Sequence, residues 1–292
     1  MKFTMSVAMS PLEQLTELAR TAEECGFSSI ALPDSLFYAE SVAAKYPYTD
    51  DGSRFWTEDT PWPDPFVAAA AMGAVTDRIR FYPQVLKLGP RNPLLLARQV
   101  GSVAVLTGDR FGLGVGLGWS PEESEWCGAP FSDRGARADE AIEVLRLVLG
   151  GGMVEHTGRF YGFGKLRMSP APGAPVPIYV GGHSPAGLRR AARLGDGWTS
   201  AMMRFTELRD TIQTLHGLRA EYGRDEPFEI QAVCVDRFGL DGFRAQAEIG
   251  VTDAVTVPWM FYGAGFDAPL KAKQDGIRRF ADDIIQRFEE AA

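Results

Sequence analysis

Cysteine and histidine are scarce in this chain of 292 residues, at three each. Cys25, Cys127 and Cys234 are odd in number and far apart, a spacing that suits neither a disulfide framework nor a zinc site. They read as reduced thiols, and no metal is expected. Long apolar runs are missing as well. Nothing reaches the length of a bilayer span, and Met1 to Val7 leads into a polar helical pattern rather than a signal-peptide core. The expectation is a cytoplasmic protein with no membrane association. Blocks of like charge are also absent, and a net charge of −8 argues against a nucleic-acid groove or an anionic membrane as partner. Any anionic ligand has to be held by local geometry.

What the chain does have is alternation of short β-type runs with amphipathic helical stretches from end to end. The strand candidates are Phe3–Val7, Ser29–Leu32, Ile79–Val85, Phe111–Val115, Pro177–Val180, Gly197–Ser200, Phe228–Val233 and Ala254–Val257. Between them lie stripes such as Leu12, Leu15, Leu18 and Ala22, or Ile277, Phe280, Ile284 and Phe288, at the spacing of a helix face that packs on a sheet. Eight βα units predict an α/β fold, a (β/α)8 TIM barrel with insertions at its C-terminal face, formed by residues 1–292 as a single domain. A doubly wound dinucleotide fold is disfavoured, because the first strand runs into Ala8-Met9-Ser10-Pro11 without glycines. The run Gly112-Leu113-Gly114-Val115-Gly116-Leu117-Gly118 alternates along a strand instead of turning into a helix. It marks a strand that another group approaches closely.

Two features point to a ligand. Pro177-Ile178-Tyr179-Val180-Gly181-Gly182-His183-Ser184 is an apolar strand that breaks on two glycines into a helix start, which suits a phosphate as well as it suits a plain turn. The segments 37–64 and 258–269 follow strands and are dense in aromatics, including Tyr46, Tyr48, Phe55, Trp56, Trp62 and Trp259. Segments after strands lie at the C-terminal face of a barrel, where they can wall an apolar pocket or simply pack the insertions down. The segment 150–175 reads as an irregular extension. Glu122 and Glu123, after Ser120-Pro121, read as acids in the first turn of a capped helix. Arg134 and Glu140 read as a structural anchor between a helix and a loop.

The segments Arg91-Asn92-Pro93-Leu94-Leu95-Leu96-Ala97-Arg98-Gln99, Val105 to Gly116, Phe131 to Glu140 and Gly181 to Trp198 together resemble bacterial luciferase-like oxidoreductases. They are most similar to the branch that uses the deazaflavin coenzyme F420. The resemblance spans about Met1 to Trp198. It implies a flavin-type cofactor across the mouth of the barrel, with its phosphate on Gly181, Gly182, His183 and Ser184. It also implies a non-proline cis bond at Gln84-Val85 beneath the ring, and close approach of the ring to Gly116 and Gly118. Asp34 and Ser35 fall at the catalytic positions after the second strand; apart from the resemblance, the aromatics at strand ends and in the segments that follow strands offer Phe37, Trp56, Trp119 and Trp259 for the substrate pocket.

Ser35 replaces a histidine common in deazaflavin relatives, Trp119 replaces a glutamate of some dehydrogenases, and Tyr82-Pro83-Gln84 replaces Gly-Thr-Gly. The cofactor shell is therefore better preserved than the catalytic one. The leading expectation is hydride transfer between F420 and a hydrophobic or conjugated small molecule, with Lys45, Lys87 and Arg91 available for the charged tail of the coenzyme. The alternatives are an FMN-dependent monooxygenase using O2 and a separate reductase, a non-catalytic flavin-binding barrel, and, more weakly, a barrel enzyme acting on a phosphorylated substrate. A flavin or F420 reductase and a second copy of the chain are the partners the resemblance allows.

Overall fold

Seven of the eight expected strands form as single runs, displaced by no more than three residues at either end. In the computed structural model, which describes residues 1–290, the strands are β1 (Lys2–Ser6), β2 (Ser29–Leu32), β3 (Arg80–Pro83), β4 (Leu86–Lys87), β5 (Leu113–Gly116), β6 (Val154–Thr157), β7 (Gly162–Leu166), β8 (Ile178–Gly181), β9 (Gly197–Met203), β10 (Glu229–Cys234) and β11 (Asp253–Thr256). All but β6 and β7 form one parallel sheet in the order β3-β2-β1-β11-β10-β9-β8-β5-β4. The exception to the expected strands is the third, which is cut into β3 and β4 at a cis Gln84–Val85 bond. A bridge between Phe81 and Phe111 joins β3 to the start of β5 and brings the two ends of the sheet together. The result is the expected eight-unit barrel.

The helices are α1 (Leu15–Glu24), α2 (Pro65–Gly73), α3 (Pro93–Leu106), α4 (Pro121–Glu125), α5 (Arg134–Leu149), α6 (Pro185–Leu194), α7 (Phe205–Glu221), α8 (Gly239–Glu248), α9 (Leu270–Phe280) and α10 (Gln286–Glu289). Four of them start in the same way. Asp64, Asn92, Ser120 and Ser184 each accept a backbone N–H of the first turn, with proline next in the chain. The cap oxygen satisfies an orphan donor, and proline has no N–H to lose. None of the described helices is long and apolar enough to cross a membrane.

Period-two alternation sorts the side chains of each strand. Phe3, Met5, Ile30, Leu32, Phe81, Leu113, Val115, Ile178 and Val180 point outward into the continuous core beneath the helices. Inside the barrel a separate small cluster contains Ala31, Tyr82, Tyr179 and Val255. The strand read as closely approached, β5, presents glycine inward. A Cβ on Gly114 would fall 1.9 Å from the Pro83 carbonyl oxygen, and one on Gly112 would fall 2.7 Å from the Tyr179 ring.

The segment 150–175 departs from expectation, because it contains the antiparallel β6–β7 hairpin. Its strands are short and half-exposed, so no apolar alternation announces them. Glu140 fastens it by accepting the backbone N–H groups of Arg159, Phe160 and Tyr161, with His156 alongside. The anchoring role expected of Glu140 is present. Arg134 is not its partner and stacks on Phe131 instead.

Polar atoms are trapped in the barrel interior, where Tyr82 Oη, Gln231 Oε1 and Asp253 Oδ1 lack hydrogen-bond partners. Burial, reinforced by Glu229 and opposed by Lys2 and Arg80, pushes Asp253 up to about 7. A carboxyl whose folded-state value lies above its unfolded one holds its proton longer in the native state. Its ionisation therefore removes stability as the pH climbs from about 4 to 7. Asp253→Asn is expected to flatten that decline and to exceed the wild type by on the order of 1–4 kcal/mol above pH 7. Thermal unfolding between pH 4.5 and 8.5 measures this, and parallel curves for the two proteins would show that Asp253 is not the source.

Candidate active site at the mouth of the barrel

The C-terminal ends of the strands open into a cavity of about 280 Å³. Ser6, Ala31, Gln84, Gly181 and Thr199 contribute from the strands and their ends, and Tyr46, Tyr48, Phe55, Trp56 and Trp62 from the insertion after β2, with Trp119 packed among them. The insertion has almost no regular secondary structure, and edge-to-face ring contacts shape it instead. Tyr46 meets Trp56 at 4.9 Å and Trp119 at 5.4 Å between ring centroids, and Trp56 meets Trp62 at 5.9 Å. Such pairs add about 0.5–1.5 kcal/mol each beyond area burial. Burial pushes the Tyr46 hydroxyl up to about 12 and raises Tyr48 as well. Both phenols stay protonated at neutral pH.

One wall rests on the Gln84–Val85 junction. Gln84 Nε2 donates to Thr199 Oγ1 and to the Ser200 carbonyl, both at 3.1 Å, tying the cut third strand to β9. Val85 packs over two glycines: a Cβ on Gly116 would meet its side chain at 2.6 Å and one on Gly181 at 3.0 Å. Gly182 has φ +120°, a conformation that L side chains rarely adopt. It turns the chain into α6, whose N-cap Ser184 Oγ accepts the Gly187 N–H at 3.1 Å. His183 Nε2 accepts the Ala201 N–H at 3.0 Å, and burial lowers its pKa despite the opposing pull of Glu207. It is a neutral positioning group that sets its ring edge against Tyr48. The residues fit a flavin-type group: a flat slot between aromatic rings and small strand ends, beside a ten-residue helix whose N-terminal dipole suits a phosphate.

Next to the slot lies a buried charged quartet. Asp34 accepts two hydrogen bonds from the Arg91 guanidinium, at 2.8 and 3.0 Å, and one from the Lys87 backbone N–H. Glu123 takes the Lys87 ammonium on both oxygens, and its Oε1 also accepts the Ser35 hydroxyl and the Leu36 N–H. The two acids and two bases balance, and together they bind the loop after β2 to the β4–α3 loop and to α4.

Of the residues singled out in the sequence, Asp34, Ser35, Gln84, Val85, Gly181, Gly182, Trp56 and Trp119 converge on this cavity. His183 and Ser184 sit at the adjoining helix start. The remaining expectations need correction. Val85 occupies the space beside Gly116, and Gly118, with φ +79°, serves a turn beside Lys87, so neither lines the slot. Phe37 does not line the slot: it stacks on Trp126 at 5.5 Å, beside a small recess that it shares with Ser35, Trp56 and Trp119. Trp259 is fully buried, pressed against Gly276 of α9 and the Lys273 ammonium. Lys87 and Arg91 are spoken for by Glu123 and Asp34, which leaves Lys45 exposed among the three cations expected near the coenzyme tail.

The sequence shows Glu123 only as a helix-start acid, because its partner Lys87 is 36 positions away. Its burial follows from the fold alone. Glu123→Ala strands the Lys87 ammonium in an apolar setting and is expected to cost about 3–5 kcal/mol, whereas a Lys87→Met/Glu123→Leu double variant should recover most of that loss. Chemical denaturation of the three proteins measures it. Equal stability of Glu123→Ala and wild type would show that the pair is solvated.

Known proteins resemble this chain in sequence and in fold. The protein Rv0940c of Mycobacterium tuberculosis, itself uncharacterized, is 43% identical over 98% of this chain and all of its own length. The F420-dependent tetrahydromethanopterin reductase of Methanopyrus kandleri superimposes with a TM-score of 0.75 at 15% identity, covering 98% of this chain and 99% of that one. The FMN-bound oxygenating component of 3,6-diketocamphane monooxygenase from Pseudomonas putida gives 0.60 at 20% identity, covering 77% and 63%. The sequence pattern of the luciferase-like monooxygenase family matches residues 2–238. With that match spanning the barrel from β1 to the end of β10, the chain belongs to the luciferase-like monooxygenase family.

Proposed function

We propose that the protein is an oxidoreductase that holds coenzyme F420 in the aromatic slot and exchanges a hydride with a hydrophobic or conjugated small molecule. The slot itself carries this reading, with Tyr46, Trp56 and Trp119 on one side and Gln84, Val85 and Gly181 on the other. The resemblance of the chain's motifs to the deazaflavin-using branch supports F420. The coenzyme supplies two-electron hydride chemistry when bound.

The chain's own groups position and insulate. Gly181, Gly182 and the start of α6 bind the phosphate, while Gln84 is held rigid by Thr199 and Ser200. The aromatic wall excludes water. Asp34 and Ser35, offered by the resemblance as catalytic, have their polar atoms committed to Arg91, Lys87 and Glu123. They position the loop that carries them. Tyr46 and Tyr48 line the slot and stay protonated at neutral pH, so their phenols are hydroxyl donors available to a reduced substrate, beside the hydroxyls of Ser6 and Thr199.

One observation favours FMN with O2 and a separate reductase. The cations expected near the mouth for the acidic coenzyme tail, Lys87 and Arg91, are neutralised by Glu123 and Asp34, and FMN asks only for its single phosphate to be held. Fluorescence titration of the purified protein with F420, FMN and riboflavin separates these readings. Ala186 is exposed in the first turn of α6, where aspartate is well tolerated by a helix. Ala186→Asp is expected to weaken the phosphate-bearing cofactor at least about tenfold, by repulsion at the helix start, and to leave riboflavin affinity unchanged. Equal weakening of both would refute the phosphate assignment, and no binding of any of the three would refute the flavin-type reading.

A further inference from the structure

A second cavity opens at the same mouth, with a volume of about 400 Å³, among the ends of β9, β10 and β11 and the inner face of α8. Met202 and Val233 line both cavities and form the partition between them. No charged residue lines the second cavity, whose walls are mostly Val, Met and Phe side chains. Its rim leaves Phe238 58% and Met260 47% exposed, apolar surface of the kind that marks a binding site.

Two polar residues interrupt this lining. Gln246 of α8 is 1% exposed; its Nε2 donates to the Arg237 carbonyl at 3.0 Å, while its Oε1 has no partner. Thr256, at the end of β11, is buried too, and its Oγ1 is likewise unpartnered. A buried acceptor left unmet costs about 1–3 kcal/mol. A carboxamide oxygen needs a donor, and a threonine hydroxyl can give or take, so one hydroxyl, donating to the first and accepting from the second, satisfies both. An amine or a carboxylate would enter charged, with no counter-charge to meet it.

We infer that this cavity binds the apolar body of an uncharged substrate bearing an alcohol group, its O–H donated to Gln246 Oε1 and its oxygen accepting from Thr256 Oγ1. The anchored hydroxyl is not the reacting group. The far end of the molecule passes Met202 and Val233 into the aromatic slot. This deepens the proposed function and rests on it for what happens at that far end, while binding at the cavity stands by itself.

Calorimetric titration of the purified protein with 1-octanol, its methyl ether and octanoate tests the inference without any cofactor. The alcohol is expected to bind about tenfold tighter than the ether, the equivalent of one well-made hydrogen bond, and octanoate more weakly than either. Gln246→Leu and, separately, Thr256→Val should narrow the alcohol–ether gap to about twofold. Val235→Trp, which fills the cavity from a part-exposed position, should abolish binding of both. The inference is overturned by equal affinity for alcohol and ether in the wild type, by a gap that persists in both polar variants, or by octanol binding that disappears as protein concentration rises, which would mean that a second copy covers this face. Octanol binding without affinity for F420 or FMN would sink the flavin reading and leave this one standing; cofactor binding without octanol binding would do the reverse.

Discussion

The site depends on a buried balance of charge. Asp34 and Arg91 come from the loops after β2 and β4, Lys87 from β4 itself and Glu123 from α4, and none of the four has water enough to stand alone. Each pair offsets the desolvation of its members only because hydrogen-bond geometry is satisfied on nearly every side. The Lys87 backbone N–H and carbonyl are used as well, by Asp34 and Arg91, so the quartet fixes main chain as well as side chains. What it fixes is the short strand β4, the segment immediately after Gln84 and Val85. The slope of that segment decides where one wall of the slot lies.

From this anchor the aromatic insertion takes its shape. A loop of 28 residues with no core of its own folds down because its rings find one another and Trp119. Trp119 in turn precedes the Ser120 cap of α4, which carries Glu123. Electrostatic and aromatic constraints therefore meet within five residues of chain. Loosening either would widen the slot, and water admitted there would compete for every hydrogen bond that a bound ring could make.

The barrel was legible in the sequence because strand residues that face helices must be apolar and because caps such as Asn92-Pro93 and Ser184-Pro185 are written locally. The glycine line on β5 was legible as a close approach, though not its partners, which are Pro83 and Tyr179 on neighbouring strands. Trp259 misled for the opposite reason. An aromatic after a strand looks the same whether it points into the mouth or down onto a helix, and Gly276, seventeen positions later, is what makes room for it below. The Lys87–Glu123 pair and the unpartnered polar atoms of the barrel interior left no local trace, since tertiary distance alone defines them. The family resemblance supplied the cis junction, which composition could not, whereas the helix-start glycines were legible in the local pattern.

One wall of the barrel is closed to redesign. Along β5 the inward positions have no room for even a methyl group, because the carbonyl of Pro83 and the side chains of Tyr179 and Val85 already occupy that space. Enlarging or re-aiming the slot for a different molecule has to proceed from the facing side, through Ser6, Ala8 and Met202, and from the ring-lined insertion. Variation in what such a protein accepts is thus confined to half of its circumference, while the other half keeps the register in which everything else is measured.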